Sequence, residues 1–369
     1  MKKYVAVLGR QPLISVAELE SLFKNVWKIA PELAEFEADE RPDVRRLGGT
    51  LKIAEEVKLS DLWSDLPAEG KITLGVSDFS RGASAFMAQK EALRMKRNLV
   101  KMGRSVRVVA NKTAVLSSAT SIHNHLFSAT KLEILKNGGR YYRVISVQDI
   151  EGYVERDRKR PARDAKVGML PPKLAQILIN LCGDLAKGSR LLDPFCGTGV
   201  VLQEAALMGY VPYGTDLSER MVQYSERNLE WLAKTAGMPN LAIDVAEGDA
   251  QHFQWTAPID AVACEGYLGP PMSLPPAEIK LKQAKQECGA IVLGFLKNLA
   301  GQIREGTPVV MAVPAWLRPD GSYERLNLLD EISNLRYNVC SFKNLGQKDL
   351  LYHREGQVVA REIIVLRKK

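Results

Sequence analysis

The sequence predicts an α/β protein whose larger part is a doubly wound, mostly parallel sheet, preceded by a smaller α+β region. Three observations carry this expectation. From Lys173 onward, strand-like and helix-like segments alternate strictly, the pattern of a sheet covered by helices on both faces. The first of those strands runs into a short loop with two glycines, Asp193–Gly199, and then directly into an apolar helix. Before Lys173 there is no such alternation, and residues 66–165 hold 19 Lys and Arg against 9 Asp and Glu, whereas residues 1–65 hold 10 against 12.

Taken in order, residues 1–65 predict a strand at Tyr4–Leu8, a helix from Ser15 to about Trp27, and an apolar run at Leu51–Ile53, a small α+β unit. "KITLGVSDFS" from Lys71 reads as a strand and turn. "SAFMAQKEALRMKRNLVKMG" reads as an amphipathic helix with Phe86, Leu93, Leu99 and Met102 set among Lys90, Arg94, Lys96, Arg97 and Lys101. "SVRVVAN" predicts a strand, "SSATSIHNHLF" a serine-capped helical turn, and "GGRYYRVISVQDI" a second strand after a glycine turn, closing a second unit at about residue 154. Residues 155–172 are rich in charge and proline, lack an apolar period, and read as a linker. In 173–369 the strands are "SRLLDPF", "VPYGTD", "LAIDVAEGDA", "PIDAVACEG" and "TPVVMAVPAWL", followed by two more near Tyr337–Leu345 and Gln357–Leu366 that suggest an antiparallel edge hairpin. Helices are expected at "KLAQILINLCGDL", "VVLQEAALMG", "SERMVQYSERNLEWLAKTAG", about Pro276–Ala300 and about Arg325–Leu335.

Several classes are excluded by composition. The apolar run after Lys2 and Lys3 is broken by Gly9, Arg10, Gln11 and Pro12, too early for a secretion signal, and no segment approaches the roughly 18 apolar residues of a membrane span. A cytoplasmic protein with no membrane partner is therefore expected. Five cysteines stand singly and four histidines are dispersed, so neither a disulfide framework nor a metal site is expected. The basic excess in 66–165 suits a polyanion, because cationic side chains on phosphates release counterions.

The loop "DPFCGTG" lacks the G-x-G-x-x-G of a dinucleotide site, and Asp193 at the strand tip would repel a pyrophosphate. A carboxylate there suits a ligand with an ammonium group, while Gly197 and Gly199, in one loop with the cofactor-binding candidates Phe195 and Cys196, let the backbone pass close beneath it. S-adenosylmethionine combines an ammonium, a carboxylate and an adenosine. Asp216, about 23 residues further on, ends the second strand where an acid meets ribose hydroxyls; Asp249 with Ala250 ends the third, where the adenine amino group would lie. Each acid taken singly also reads as a helix N-cap. The fourth strand ends in Glu265, Gly266 and Tyr267, at the position where amino-methylating enzymes carry a polar acceptor and an aromatic ring.

The glycine loop, the preceding "PPKLAQILINL" and the basic N-terminal portion with "VLSSATSIHNHLF" resemble the THUMP-containing tRNA guanine-N2 methyltransferases of archaea and eukaryotes, which act on guanosine at position 10. The resemblance implies a ferredoxin-like unit at 1–65, a THUMP-like RNA-binding domain at 66–154, and a Rossmann-like class I methyltransferase domain at 173–369 with S-adenosyl-L-methionine as cofactor. It further implies tRNA as partner on the basic region 66–165 and on Arg156, Arg158, Lys159, Arg160 and Arg163, with Glu265 and Tyr267 as catalytic residues. A small activating subunit is admitted by the family and specified by no residue here. The departure is at the catalytic loop: where the family has D-P-P-Y-G, this chain has Glu265, Gly266, Tyr267, Leu268 and Gly269. An amino-methyltransferase for DNA, and an RNA-binding protein with a degenerate site of the same fold, remain open at this point.

Overall fold

The apolar run at the start forms the inner part of strand β1 (Lys2–Leu8), buried from Tyr4 to Leu8 in a computed structural model that describes residues 1–164 and 170–369. The chain divides into two compact units, Met1–Gly152 and Tyr153–Lys369.

In the first unit, helix α1 (Pro12–Leu22) starts on a proline that needs no intrahelical donor and ends at Phe23. The expected helix to Trp27 is thus too long. Asn25 adopts a left-handed backbone conformation (φ 51°), and Trp27 belongs to strand β2 (Lys24–Ala30), which turns back into β3 (Leu33–Ala38). Strand β4 (Thr50–Val57) precedes the short helix α2 (Leu59–Ser64), strand β5 (Ile72–Asp78) and helix α3 (Ala85–Lys101), whose first free N–H groups are capped by the Ser84 side chain. Strand β6 (Val106–Val108), helix α4 (Ser118–His123) capped by Ser117, and strands β7 (Lys131–Asn137) and β8 (Arg140–Val147) complete the unit. The strands form one sheet in the order β2-β3-β1-β4-β8-β7-β5-β6. No break in that sheet marks the boundary expected after residue 65, because β4 pairs antiparallel with β8. Inside it, Lys52 Nζ lies 2.6 Å from Glu133 Oε1, and Glu133 also accepts hydrogen bonds from Ser77 and Ser121. This buried carboxylate is therefore paired and hydrogen-bonded, as burial of a charge requires.

Residues 155–164 do not form the linker expected of them. Helix α5 (Ile150–Arg158) places the Arg156 guanidinium on Glu204, Nε to Oε1 2.6 Å. The Ala162 backbone exchanges two 2.9 Å hydrogen bonds with the Asn228 side chain, and Arg160 is buried. A charged stretch without apolar periodicity has docked because Glu204 and Asn228 are buried polar groups that need partners. Residues 165–169 of the expected linker lie outside the described residues.

Beyond them the alternation appears as read: α6 (Pro172–Leu181), β9 (Arg190–Asp193), α7 (Val200–Leu207), β10 (Val211–Asp216), α8 (Glu219–Thr235), β11 (Asp244–Glu247), β12 (Ala261–Glu265), α9 (Glu278–Leu299) and β13 (Pro308–Leu317). After these come β14 (Tyr323–Arg325), α10 (Leu329–Asn334), β15 (Tyr337–Val339), β16 (Leu351–Tyr352) and β17 (Val359–Lys368). The sheet runs β11-β10-β9-β12-β13-β17-β15, with β14 on β13 and β16 on β17. Strands β9 to β13 are parallel, and β17 inserts antiparallel between β13 and β15. The strand order reverses between β9 and β12, the place where ligands bind beyond the carboxyl ends of such a sheet.

Candidate active site

Every cofactor-binding or catalytic candidate lies at the carboxyl end of β9, β10, β11 or β12, four neighbours in the sheet. Asp193 closes β9 and is 2% exposed. Its Oδ1 accepts a hydrogen bond from the Phe195 N–H at 3.1 Å. Burial pushes its carboxyl well above the usual carboxylate range, and the negative charges of Asp216 and Glu265 push in the same direction.

The loop after Asp193 is held on every side. Gly197 donates its N–H to Asp216 Oδ2 at 2.9 Å, and Ser218 donates to Oδ1 at 2.9 Å. Asp216 thus both braces the loop and caps the turn into α8, and burial raises its pKa. Cys196 donates its N–H to the Thr215 carbonyl, Ser225 Oγ donates to the Gly197 carbonyl, and Asn228 donates to the Thr198 carbonyl. Gly199, the N-cap of α7, has φ +74°, and a Cβ there would stand 2.9 Å from Ser225 Oγ. Glycine is therefore required at this position by both backbone and space. The Phe195 ring meets Phe295 edge-on at 5.3 Å. The Cys196 thiol is pushed far up by burial and by Asp193, which removes it as a nucleophile at neutral pH.

At the end of β11, Asp249 is half-exposed, accepts the Gln251 N–H at 2.9 Å and lies 3.1 Å from His252 Nδ1. These contacts, the Gln251 N–H first, lower its pKa. Ala250 is buried in the core and its carbonyl accepts from Asn298. Glu265 closes β12. The following Gly266 N–H donates to the Ala312 carbonyl at 2.9 Å, and Tyr267 stands 38% exposed, its pKa raised first by burial and then by the charge of nearby Glu287.

Two partners escaped the sequence reading. Glu265 Oε1 accepts from Arg361 Nε at 2.5 Å, and the charge of Glu287 on α9 acts on Tyr267. Arg361 and Glu362 are charged residues just before the apolar run Ile363–Leu366 of the terminal strand, a signal that points to buried partners without saying which.

The acids at these strand ends are not grouped to hold a metal ion; among the described residues no His, Cys, Asp or Glu group is. They do present a charge deficit. Asp193 is buried, has one backbone hydrogen bond, and feels two further carboxylates, so a cationic ligand at its tip is favoured. S-adenosylmethionine, with an ammonium and a sulfonium, fits that chemistry and the glycine-lined approach.

Residues 159–284 match the family model UPF0020, RMKL-like, methyltransferase domain. A tRNA (guanine(10)-N2)-dimethyltransferase of Methanothermobacter thermautotrophicus is 32% identical over 169 residues, 46% of this chain and 44% of that relative. One from Pyrococcus abyssi is 25% identical over 308 residues, 79% of this chain and 86% of that protein. The matched stretch thus spans under half the length of the first relative and most of the second. Among solved structures, TrmN from Thermus thermophilus has the same fold over 100% of both chains, with a TM-score of 0.51 at 18% identity.

The Rossmann-like fold and the family match over residues 159–284 agree on a methyltransferase-like domain, for which S-adenosyl-L-methionine is the implied cofactor. These relatives carry the name tRNA (guanine(10)-N2)-dimethyltransferase, and the resemblance read from the motifs is borne out for the methyltransferase part. Among the described residues no helix is long and apolar enough to cross a membrane.

Proposed function

We propose that this protein methylates the exocyclic N2 amine of a guanosine in tRNA with S-adenosyl-L-methionine as donor. The observation that carries the reading is the placement of Asp193 and Glu265 at the ends of adjacent parallel strands at the switch point, near enough for the Glu265 charge to act on Asp193. It sets a cation-seeking cofactor end beside a carboxylate that can accept hydrogen bonds from an amine. The names of the relatives supply the nucleic-acid class.

The bound cofactor supplies an electrophilic methyl group. Asp193 accepts hydrogen bonds from the ligand ammonium, while Gly197 and Gly199 keep side chains out of its path. Asp216 has lone pairs beyond those used by Gly197 and Ser218 for ribose hydroxyls, and Asp249 stands ready for the adenine edge. Glu265 accepts an N–H of the target amine, leaving the nitrogen lone pair directed at the methyl group. Tyr267 offers a ring for a base flipped out of its stack. Catalysis of this kind is positioning and charge stabilisation.

In the same reading residues 1–65 and 66–154 form the ferredoxin-like and THUMP-like parts of an RNA-binding region. The exposed basic face of α3, with Lys90, Arg97 and Lys101, meets the RNA backbone, and exposed Arg158, Lys159 and Arg163 extend the contact. Arg156 and Arg160 are withdrawn from that set, one by its pairing with Glu204 and the other by burial.

The test is transfer of labelled methyl groups to bulk tRNA and to duplex DNA, with nucleoside analysis of the product. N2-methylguanosine from tRNA is expected. Equal labelling of DNA, or a product other than N2-methylated guanosine, overturns the proposal.

A further inference from the structure

The catalytic loop of this chain lacks the two prolines that stiffen the family's D-P-P-Y-G, and its acid is one methylene longer. A glutamate side chain has one more rotatable bond than aspartate, and Gly266 adds backbone freedom. Something else must fix the carboxylate if the amine is to be held in line.

The sheet provides it from the far side of a strand. Glu265 is registered with Ala312 on β13, and Arg361 of β17 is registered with Pro314, two residues further along. Side chains of registered neighbours share a face of the sheet, as do residues two apart on one strand. Ala312 and Pro314 are short, so the long Arg361 side chain crosses β13 above them and reaches Glu265, 96 residues away in sequence. Both side chains are largely buried, at 8% and 14% exposure. Among the described residues, Glu265 is the one hydrogen-bond acceptor of the Arg361 guanidinium. The next residue of β17 is itself tied on the opposite face: Glu362 pairs with Arg325 at 2.7 Å, and Arg325 donates to the Lys348 carbonyl at 2.7 Å.

We propose that Arg361 is the positioning residue of the methyl-transfer site, fixing Oε1 of Glu265 so that Oε2 is left oriented as the acceptor for the target amine. It takes over from across the sheet the stiffening that prolines give this loop elsewhere in the family. Arg361 itself touches neither substrate nor cofactor. The inference rests on the methyltransferase reading, and its test separates the two.

Arg361→Met, Arg361→Lys, Glu265→Gln and the double variant Arg361→Met/Glu265→Gln are assayed with tRNA, and their affinities for S-adenosylhomocysteine are measured by calorimetry. Arg361→Met is expected to lower kcat by about a hundredfold, the scale of a misplacement of about 1 Å, with KM for tRNA and affinity for S-adenosylhomocysteine changed by less than threefold. Arg361→Lys keeps the charge without the guanidinium geometry and recovers only part of kcat. The double variant is expected to be no slower than the worse single one, because both changes remove the same oriented acceptor. Additive losses, or a fall in S-adenosylhomocysteine affinity matching the fall in kcat, would mean that Arg361 merely supports the fold. Crystal structures of wild type and Arg361→Met provide a readout independent of turnover. One ordered Glu265 conformer in wild type and several in the variant are expected, and an unchanged single conformer overturns the inference. A wild-type protein that transfers no methyl group refutes the tRNA reading instead, and the crystal structures still decide the role of Arg361.

Discussion

Asp193 combines nearly complete burial with two acidic neighbours, and that combination has a consequence for pH. A carboxyl whose native pKa is raised is stabilised in the protonated form, so its contribution to folding is fully present below the unfolded pKa and is lost as pH rises through the native one. Asp193 and Asp216 both fall in this class. The stability of wild type relative to Asp193→Asn is therefore expected to fall as pH rises across that interval, read from denaturant midpoints at a series of pH values. An ammonium-bearing ligand reverses the preference. S-adenosylhomocysteine should bind with release of a proton at the acidic end of the same interval, detected as a dependence of the calorimetric heat on the buffer's ionisation enthalpy. Asp193→Ala should abolish binding; unchanged affinity in that variant would remove Asp193 from the cofactor site. At this scale the sequence was highly informative where chemistry is contiguous. Asp193, Gly197 and Gly199 declare themselves within seven residues, whereas Arg361 stays silent because its partner is fixed by register across an intervening strand.

Among the elements, the junction of β9, the loop and α7 is the most constrained. Gly199→Ala forces a side chain into a left-handed conformation and into contact with Ser225, a cost of about 1–3 kcal/mol. Chemical denaturation is expected to show a loss of that size, accompanied by weaker binding of S-adenosylhomocysteine because the loop carbonyls tied to Ser225 and Asn228 must shift. A loss in stability with unchanged ligand affinity would show that the loop backbone does not form the ligand's floor. The alternating elements of the second unit were readable because each buried strand is a short apolar run bounded by glycine or acid. The first unit was harder. Helix α1 is buried on most of its surface, so its apolar positions continue smoothly into β2, and only the left-handed Asn25 marks the break. Strands β2, β3 and β7 carry glutamates and lysines among their apolar residues, which obscured a period of two.

For the molecule as a whole, the uneven charge is the main guide to its partner. If the basic face of α3 meets phosphates, the logarithm of tRNA affinity should fall linearly with the logarithm of salt concentration. Replacing Lys90, Arg97 and Lys101 singly by alanine should reduce that slope by roughly 1 each. Filter binding across a salt series measures this, and unchanged slopes would move the RNA contact elsewhere. Arg94 is a poorer candidate, since it is tied to Glu91 at 2.5 Å. Composition disclosed the excess of charge but not which basic residues are free, because pairing with Glu204 and burial are properties of the folded chain.

Strand β17 carries Arg361 to a carboxylate on β12, and the sequence separation of 96 imposes an order on biogenesis. The glycine loop and the acids of β9, β10 and β11 lie close together in the chain and can assemble as soon as that stretch leaves the ribosome. The carboxylate proposed as acceptor cannot be locked until the arginine emerges, about a hundred residues later. A nascent chain would thus gain a place for the methyl donor well before it gains the means to aim a methyl group.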